Sequence, residues 1–257
     1  MESKEYILFY DSGIGGINTL KECVKLLPNE NYIYFADDAN CPYGNNSDAE
    51  ILKMVKERLI LLLKRYKIKL VVFACNTITT CCVERLRGEF GVDIVGTEPA
   101  IIPAIKNSRN KEVLVLATNA TLRQNKYNRV EKSVEGKVHS LGLKHLAIDI
   151  EEILLKKRQG SFDKYYLKIR DFLNENKNVD GIVLGCTHYC FLREELENLF
   201  KVDVYDGNLG VAKRVKWLLE CEKNIKGEGK GEIKVVLSSG SEKYKKRYKE
   251  LIDKTCF

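Results

Sequence analysis

The chain has 257 residues, 31 % charged and 44 % hydrophobic, with a formal charge of +7. This length suits one large or two small domains with a sizeable core, and the composition excludes a disordered chain. The positive charge comes from lysines scattered along polar helix faces and is densest at Lys243, Lys245, Lys246, Arg247 and Lys249. Such a run is read as a solvated helix face, and no nucleic-acid partner is expected.

No segment approaches the roughly 20 apolar residues that cross a bilayer, so no membrane partner is expected. Met1-Glu2-Ser3-Lys4-Glu5 and the short run Tyr6 to Tyr10 lack the core of a signal peptide, which points to the cytoplasm. The nine cysteines are odd in number and irregularly spaced, as reduced thiols are.

In chain order, a strand near Ile7–Tyr10 leads through a glycine-rich turn to a helix over Ile17–Leu27, followed by a strand at Tyr32–Phe35. Ser47 and Glu50 form a capping box. The helix it opens carries Ile51, Leu52, Val55, Leu59, Leu62, Leu63 and Tyr66 at helical spacing. Strand Leu70–Ala74, helix Ile78–Gly88 and strand Val92–Val95 close a first half. A second half begins near Glu98-Pro99 with a helix, then strand Glu112–Ala117, a helix after Thr118 to Thr121, and helices over His145–Arg158 and Phe162–Asn176. Strand Gly181–Leu184, helix Phe191–Phe200 and strand Val202–Tyr205 follow. The chain returns through Leu209–Cys221 and a loop at Gly227 to Gly231. Strand Ile233–Leu237 and helix Glu242–Lys254 then pack back onto the first half. Alternating strands and helices predict an α/β fold of two similar halves with mostly parallel sheets. The domains expected are 1–97 plus 208–257, and 98–207, with a ligand cleft between them.

Leu70-Val71-Val72-Phe73-Ala74-Cys75-Asn76-Thr77 and Gly181-Ile182-Val183-Leu184-Gly185-Cys186-Thr187-His188 say nearly the same thing. Each is a buried strand delivering a thiol at its carboxyl end, where open α/β sheets keep their ligands. Cys75 alone also reads as a buried structural thiol. Two thiols in matching places suit acid/base groups on both faces of one substrate, as a racemase requires. A thiol titrates near ~8.5, so a modest shift yields one thiolate beside one thiol.

A structural metal is not expected: Cys81-Cys82 and Cys186/Cys190 lack paired zinc spacing, and the histidines are His139, His145 and His188. Asp11-Ser12-Gly13-Ile14-Gly15-Gly16 is half a dinucleotide fingerprint, with Asp37 or Asp38 as a ribose acid. Asn18 stands where the third glycine belongs, so this turn is read as a seat for a small carboxylate, its glycines permitting unusual backbone angles.

Asp11-Ser12-Gly13-x-Gly15-Gly16, Asp37 to Pro42-Tyr43-Gly44, Cys75-Asn76-Thr77, Glu98-Pro99-Ala100, Thr118-x-x-Thr121 and Gly185-Cys186-Thr187-His188-Tyr189 occur in that order. Together they resemble the glutamate racemases of the cofactor-independent aspartate/glutamate racemase superfamily, over almost the whole chain. The resemblance implies two pseudo-symmetric, flavodoxin-like α/β domains and interconversion of L- and D-glutamate for peptidoglycan, without a cofactor, by a cytoplasmic homodimer. It makes Cys75 and Cys186 the two acid/bases, assisted by Asp11 and His188 respectively, with Glu151 a further acidic helper. Ser12, Pro42, Tyr43, Gly44, Asn76, Thr77, Thr118, Thr121 and Thr187 would bind substrate. Helix capping is an alternative for the threonines, and pocket shape for Tyr43.

The chain departs from that pattern at Asp38 and Asn40, at Gln124, at Gly142-Leu143-Lys144 and at Cys190. Two other readings are open: a racemase of aspartate or another small amino acid, and a non-catalytic regulator keeping a ligand cleft.

Overall fold

The computed structural model describes residues 4–256; Met1, Glu2 and Ser3, part of the stretch read above for a leader, lie outside them, as does Phe257. In chain order the elements are β1 (Glu5–Asp11), α1 (Ile17–Leu26), β2 (Tyr32–Ala36), α2 (Asp48–Arg65), β3 (Lys67–Phe73), α3 (Asn76–Leu86) and β4 (Asp93–Gly96). Then come α4 (Ile101–Asn107), β5 (Glu112–Ala117), α5 (Asn119–Leu122), α6 (Asn125–Ser133), β6 (Lys137–Gly142), α7 (Leu146–Ile150), α8 (Asp163–Glu175), β7 (Gly181–Leu184), α9 (Arg193–Phe200) and β8 (Asp203–Tyr205). The chain finishes with α10 (Asn208–Cys221), β9 (Ile233–Leu237) and α11 (Glu242–Cys256). Tight helical turns occupy Tyr43–Asn45 and Thr187–Leu192, and a widened one occupies Glu151–Leu155.

By its own contacts the chain divides into two compact units, Met1–Thr97 with Asn208–Phe257, and Glu98–Gly207. The first holds a sheet in the order β4-β3-β1-β2-β9, the second a sheet in the order β6-β5-β7-β8. Every pairing is parallel, where the sequence predicted mostly parallel ones. With β9 set aside, both sheets run second, first, third, fourth in their own chain order. Each therefore reverses direction between its first and third strands, β1 and β3 in one unit and β5 and β7 in the other. Ligands of such sheets bind at the carboxyl ends of the strands at that point.

The central strands are covered on both faces, so they read as unbroken apolar runs: Ile7, Leu8, Phe9 and Tyr10 are all fully buried. The capping box forms as predicted, with Ser47 Oγ accepting from the Glu50 amide while Glu50 Oε2 accepts from the Ser47 amide. Ile51, Val55, Leu59 and Leu62 of α2 enter a core cluster that also contains Tyr43, Cys75, Cys81 and Cys82.

Several expectations are corrected. The edge strand β6 is absent from the sequence reading, because none of its residues is fully buried and no apolar run announces it. The helix expected over His145–Arg158 is the short α7 followed by the widened turn, and the one expected from Phe191 begins as a tight turn at Thr187. Gly16 has ordinary helical angles, φ −66° and ψ −9°. Its role is close approach, because a Cβ there would sit 2.7 Å from Ala74 Cβ and 3.1 Å from Asp11 Cβ.

Candidate active site

In each unit the predicted residues gather at the carboxyl end of its sheet, about the reversal point. Cys75 lies two residues beyond β3 and Cys186 two beyond β7, each immediately before a helical turn. Their backbones match closely, with φ/ψ of −136°/125° at Cys75 and −143°/130° at Cys186. The residue before each is tied to the first strand of its sheet: Ala74 N donates to Tyr10 O at 2.9 Å, and Gly185 N to Leu116 O at 2.8 Å. Both thiols are nearly buried, 6 % and 7 % exposed.

The same register relates the first strands. Asp37 N donates to Asp11 O, and Leu143 N to Ala117 O, so Asp11 corresponds to Ala117 and Ser12 to Thr118. The unit of Cys75 thus carries a carboxylate at the end of its first strand, and the unit of Cys186 carries a methyl group.

In the first unit Ser12 Oγ lies 3.8 Å from Cys75 Sγ. Asp11 is fully buried, and its Oδ1 accepts from Gly13 N at 2.6 Å, which curls the glycine turn back on the carboxylate. Tyr34 OH pins that turn from β2 by donating to Gly13 O at 2.7 Å. Asn76 and Thr77 open α3, with Asn76 Nδ2 reaching Thr97 O at 3.5 Å. Open amides at a helix start favour negative charge, in a ligand or in a side chain. Pro42 and Gly44 are half-buried on either side of buried Tyr43. Around Cys75, burial followed by the Asp48 carboxylate pushes Cys81 up to about 12, and burial raises Cys82 further, so both stay thiols at neutral pH.

In the second unit Glu151, which opens the widened turn after α7, reaches the turn after β7. His188 Nε2 and Glu151 Oε1 are 2.8 Å apart, and both residues are buried. The wide turn closes through Lys156 N donating to Glu151 O at 3.0 Å; such insertions re-aim side chains at functional sites. Tyr189 OH donates to Leu143 O at 3.0 Å, and its pKa is raised by burial, then by the neighbouring Cys186. Thr118 caps α5 by accepting from Thr121 N at 3.2 Å, and the two threonine hydroxyls are 3.0 Å apart. Thr187 is buried beside Cys186. The capping alternative for Thr118 is realised, and its hydroxyl remains at the strand end.

The departures from the family pattern are structurally accommodated. Asn40 Nδ2 donates to both oxygens of Asp37 at 3.1 Å, and Asp38 accepts from Ser238 and Ser239. A Cβ at Gly142 would meet Asn119 Oδ1 at 2.1 Å, while Leu143 is buried. Gln124 stands at the start of α6, where its carbonyl accepts from Asn128 N at 3.1 Å, and Cys190 Sγ lies 4.0 Å from Cys186 O. Sequence reasoning passed over Tyr10 and Arg58, which join buried Asp37 and Tyr43 in one network, Arg58 from a partly exposed position; nothing in their spacing signals it.

A family model described as Asp/Glu/Hydantoin racemase matches residues 15–215. The glutamate racemase of Halothermothrix orenii is 38 % identical over 253 residues, covering 95 % of this chain and 96 % of that one. The crystal structure of Escherichia coli glutamate racemase in complex with L-glutamate and the activator UDP-MurNAc-ala superposes with a TM-score of 0.86 at 29 % identity, over 99 % of this chain and 96 % of that one. The glutamate racemase of Francisella tularensis in complex with D-glutamate gives 0.80 at 26 % identity, over 97 % and 94 %. The chain belongs to the Asp/Glu/Hydantoin racemase family.

Proposed function

We propose that this amino-acid racemase, an isomerase, interconverts L- and D-glutamate, with Cys75 and Cys186 exchanging the α-proton. The observation that carries this reading is the duplication itself: two thiols in the same backbone conformation, at the same point of two sheets of the same strand order. The names of the relatives, and the L- and D-glutamate held by two of the similar structures, support the substrate.

The α-proton of an amino acid is weakly acidic, so its removal demands a base fixed against it and an acid poised opposite. In this reading Cys75 as thiolate takes the proton from D-glutamate while Cys186 as thiol delivers one to the other face. From L-glutamate the roles exchange. The enzyme ends each turnover in the protonation state that starts the reverse one. Asp11 serves Cys75, while Glu151 orients His188, which serves Cys186. Ser12, Asn76, Thr77, Thr118, Thr121 and Thr187, with the backbone at Pro42, Tyr43 and Gly44, hold the ammonium and the two carboxylates. Among the described residues no helix is long and apolar enough to cross a membrane. A cytoplasmic homodimer supplying D-glutamate to peptidoglycan completes the proposal.

The test is circular dichroism on purified protein given L-glutamate, D-glutamate or L-aspartate with no added cofactor. Loss of signal toward zero with both glutamate enantiomers, and little change with aspartate, is the expected outcome. Faster turnover of aspartate would reassign the substrate. Binding of D-glutamate without any inversion would make the chain a regulator.

A further inference from the structure

We propose that Asp37 is a positioning residue that fixes Tyr43, and through it the Pro42-Tyr43-Gly44 backbone, for binding a substrate carboxylate. This rests on the racemase reading of the same site. Asp37 follows β2 directly and is fully buried. Its amide donates to Asp11 O at 2.9 Å, so its place is set by the strand that carries Asp11. Its Oδ2 accepts a short hydrogen bond from Tyr43 OH, both its oxygens accept from Asn40 Nδ2 at 3.1 Å, and Arg58 Nε lies 3.9 Å from Oδ1. Tyr43 OH is also 3.1 Å from Tyr10 OH, and Tyr10 immediately precedes Asp11.

Packing alone does not account for this choice of residues. Tyr10 already stacks edge-on against Phe35 and Phe73, and an apolar side chain at 37 would fill the space without a buried charge to satisfy. A carboxylate with this set of partners adds direction: it holds the Tyr43 ring at one height and angle above the end of β1. Burial, then the neighbouring Tyr10 and Asp37, raises the Tyr43 pKa far above its usual value, so the hydroxyl remains a donor to Asp37 throughout the working range. On the opposite side, Asp38 accepts from Ser238 Oγ at 3.2 Å, Ser239 N at 3.0 Å and Ser239 Oγ at 2.6 Å, pinning the root of the same loop to the segment after β9. The loop between β2 and α2 would otherwise be a long surface connection. Two consecutive acids, one turned inward and one outward, hold it in one shape.

A carboxylate away from the reacting carbon is gripped equally in the ground state and the transition state. Loosening its seat therefore raises KM and leaves kcat nearly unchanged. Asp37→Asn, Tyr43→Phe and the double variant are compared with wild type for KM and kcat on both glutamate enantiomers, with thermal unfolding measured alongside. Each single variant is expected to raise KM about fivefold or more with kcat within about twofold, and the double variant to match the worse single one. Unchanged KM in a folded variant, or effects that multiply in the double one, would overturn the proposal. If Asp37→Asn does not fold, Tyr43→Phe decides by the same criterion. If wild-type protein does not racemise glutamate, the racemase reading fails separately. Equilibrium binding of D-glutamate to wild type and Tyr43→Phe then tests Asp37 by the same fivefold loss, and equal binding rejects it.

Discussion

His188 Nε2 and Glu151 Oε1 are 2.8 Å apart in a buried pair that joins the turn after β7 to the widened turn after α7. The corresponding first strand ends in Ala117, where the other unit has Asp11. The duplicated fold thus places its two thiols alike and surrounds them differently: a strand-end carboxylate in one unit, an imidazole paired with a carboxylate in the other.

This asymmetry has a kinetic signature. The two enantiomers are equal in free energy, so kcat/KM must stay equal in the two directions for any variant, whichever thiol is affected. His188→Asn is expected to lower kcat/KM about 100-fold in both directions, the scale of a lost proton-transfer helper. Glu151→Gln, which keeps a hydrogen-bonding group beside the imidazole, should cost about tenfold. The individual kcat values for L- and D-glutamate are free to diverge, and progress curves from each enantiomer measure them. An undiminished kcat/KM in His188→Asn would remove it from the mechanism.

The glycines at the two sites make a structural prediction. A Cβ at Gly16 would lie 2.7 Å from Ala74 Cβ, and one at Gly185 would lie 2.9 Å from Ala117 Cβ, so both are places where the backbone approaches a neighbouring strand end. Gly16→Ala and Gly185→Ala should each destabilise by about 1–3 kcal/mol through overpacking. Both shifts occur beside a cysteine of the proposed pair, and the expected loss of activity exceeds the unfolded fraction at the assay temperature. Denaturant unfolding and activity on the same samples check this.

The C-terminal return is pH-sensitive at Glu232. The Tyr6 hydroxyl and then the Lys4 ammonium hydrogen-bond its carboxylate and hold it at about 2, against ~4.3 in an unfolded chain. A depressed carboxylate pKa stabilises the fold fully above the unfolded value and loses that contribution as pH falls through the folded one. The affected window is therefore about pH 4.3 down to about 2. The side chain is 35 % exposed, so screening holds the contribution below ~1 kcal/mol. Glu232→Gln should lower Tm slightly at pH 7 and leave it unchanged near pH 2. A constant difference at both pH values would contradict the assignment.

Much of this molecule is legible from its sequence where local physics decides. The Ser47 and Glu50 box, the apolar runs of β5, β7 and β9 and the placement of both cysteines just beyond strands follow from spacing and side-chain type. β6 escapes because an edge strand with mixed polarity has no apolar signature. The pairing of Glu151 with His188, 37 residues apart, has no local signal; the family resemblance names both residues without pairing them. The contacts of buried Asp37 with Tyr43 and Arg58 depend on β2 and α2 folding together, which no short motif encodes. At Gly16 the residue was noticed for backbone freedom, whereas close approach to Ala74 is what requires it.

The central claim concerns the two thiols, and its most direct measurement is proton NMR in deuterium oxide of L- and D-glutamate with wild type, Cys75→Ala and Cys186→Ala. Wild type should invert both enantiomers and place solvent deuterium at the α position of the product, while each variant loses inversion by about 1,000-fold or more. Inversion retained within about tenfold of wild type by either folded variant, or product that keeps its original α-hydrogen, would contradict a two-thiol mechanism.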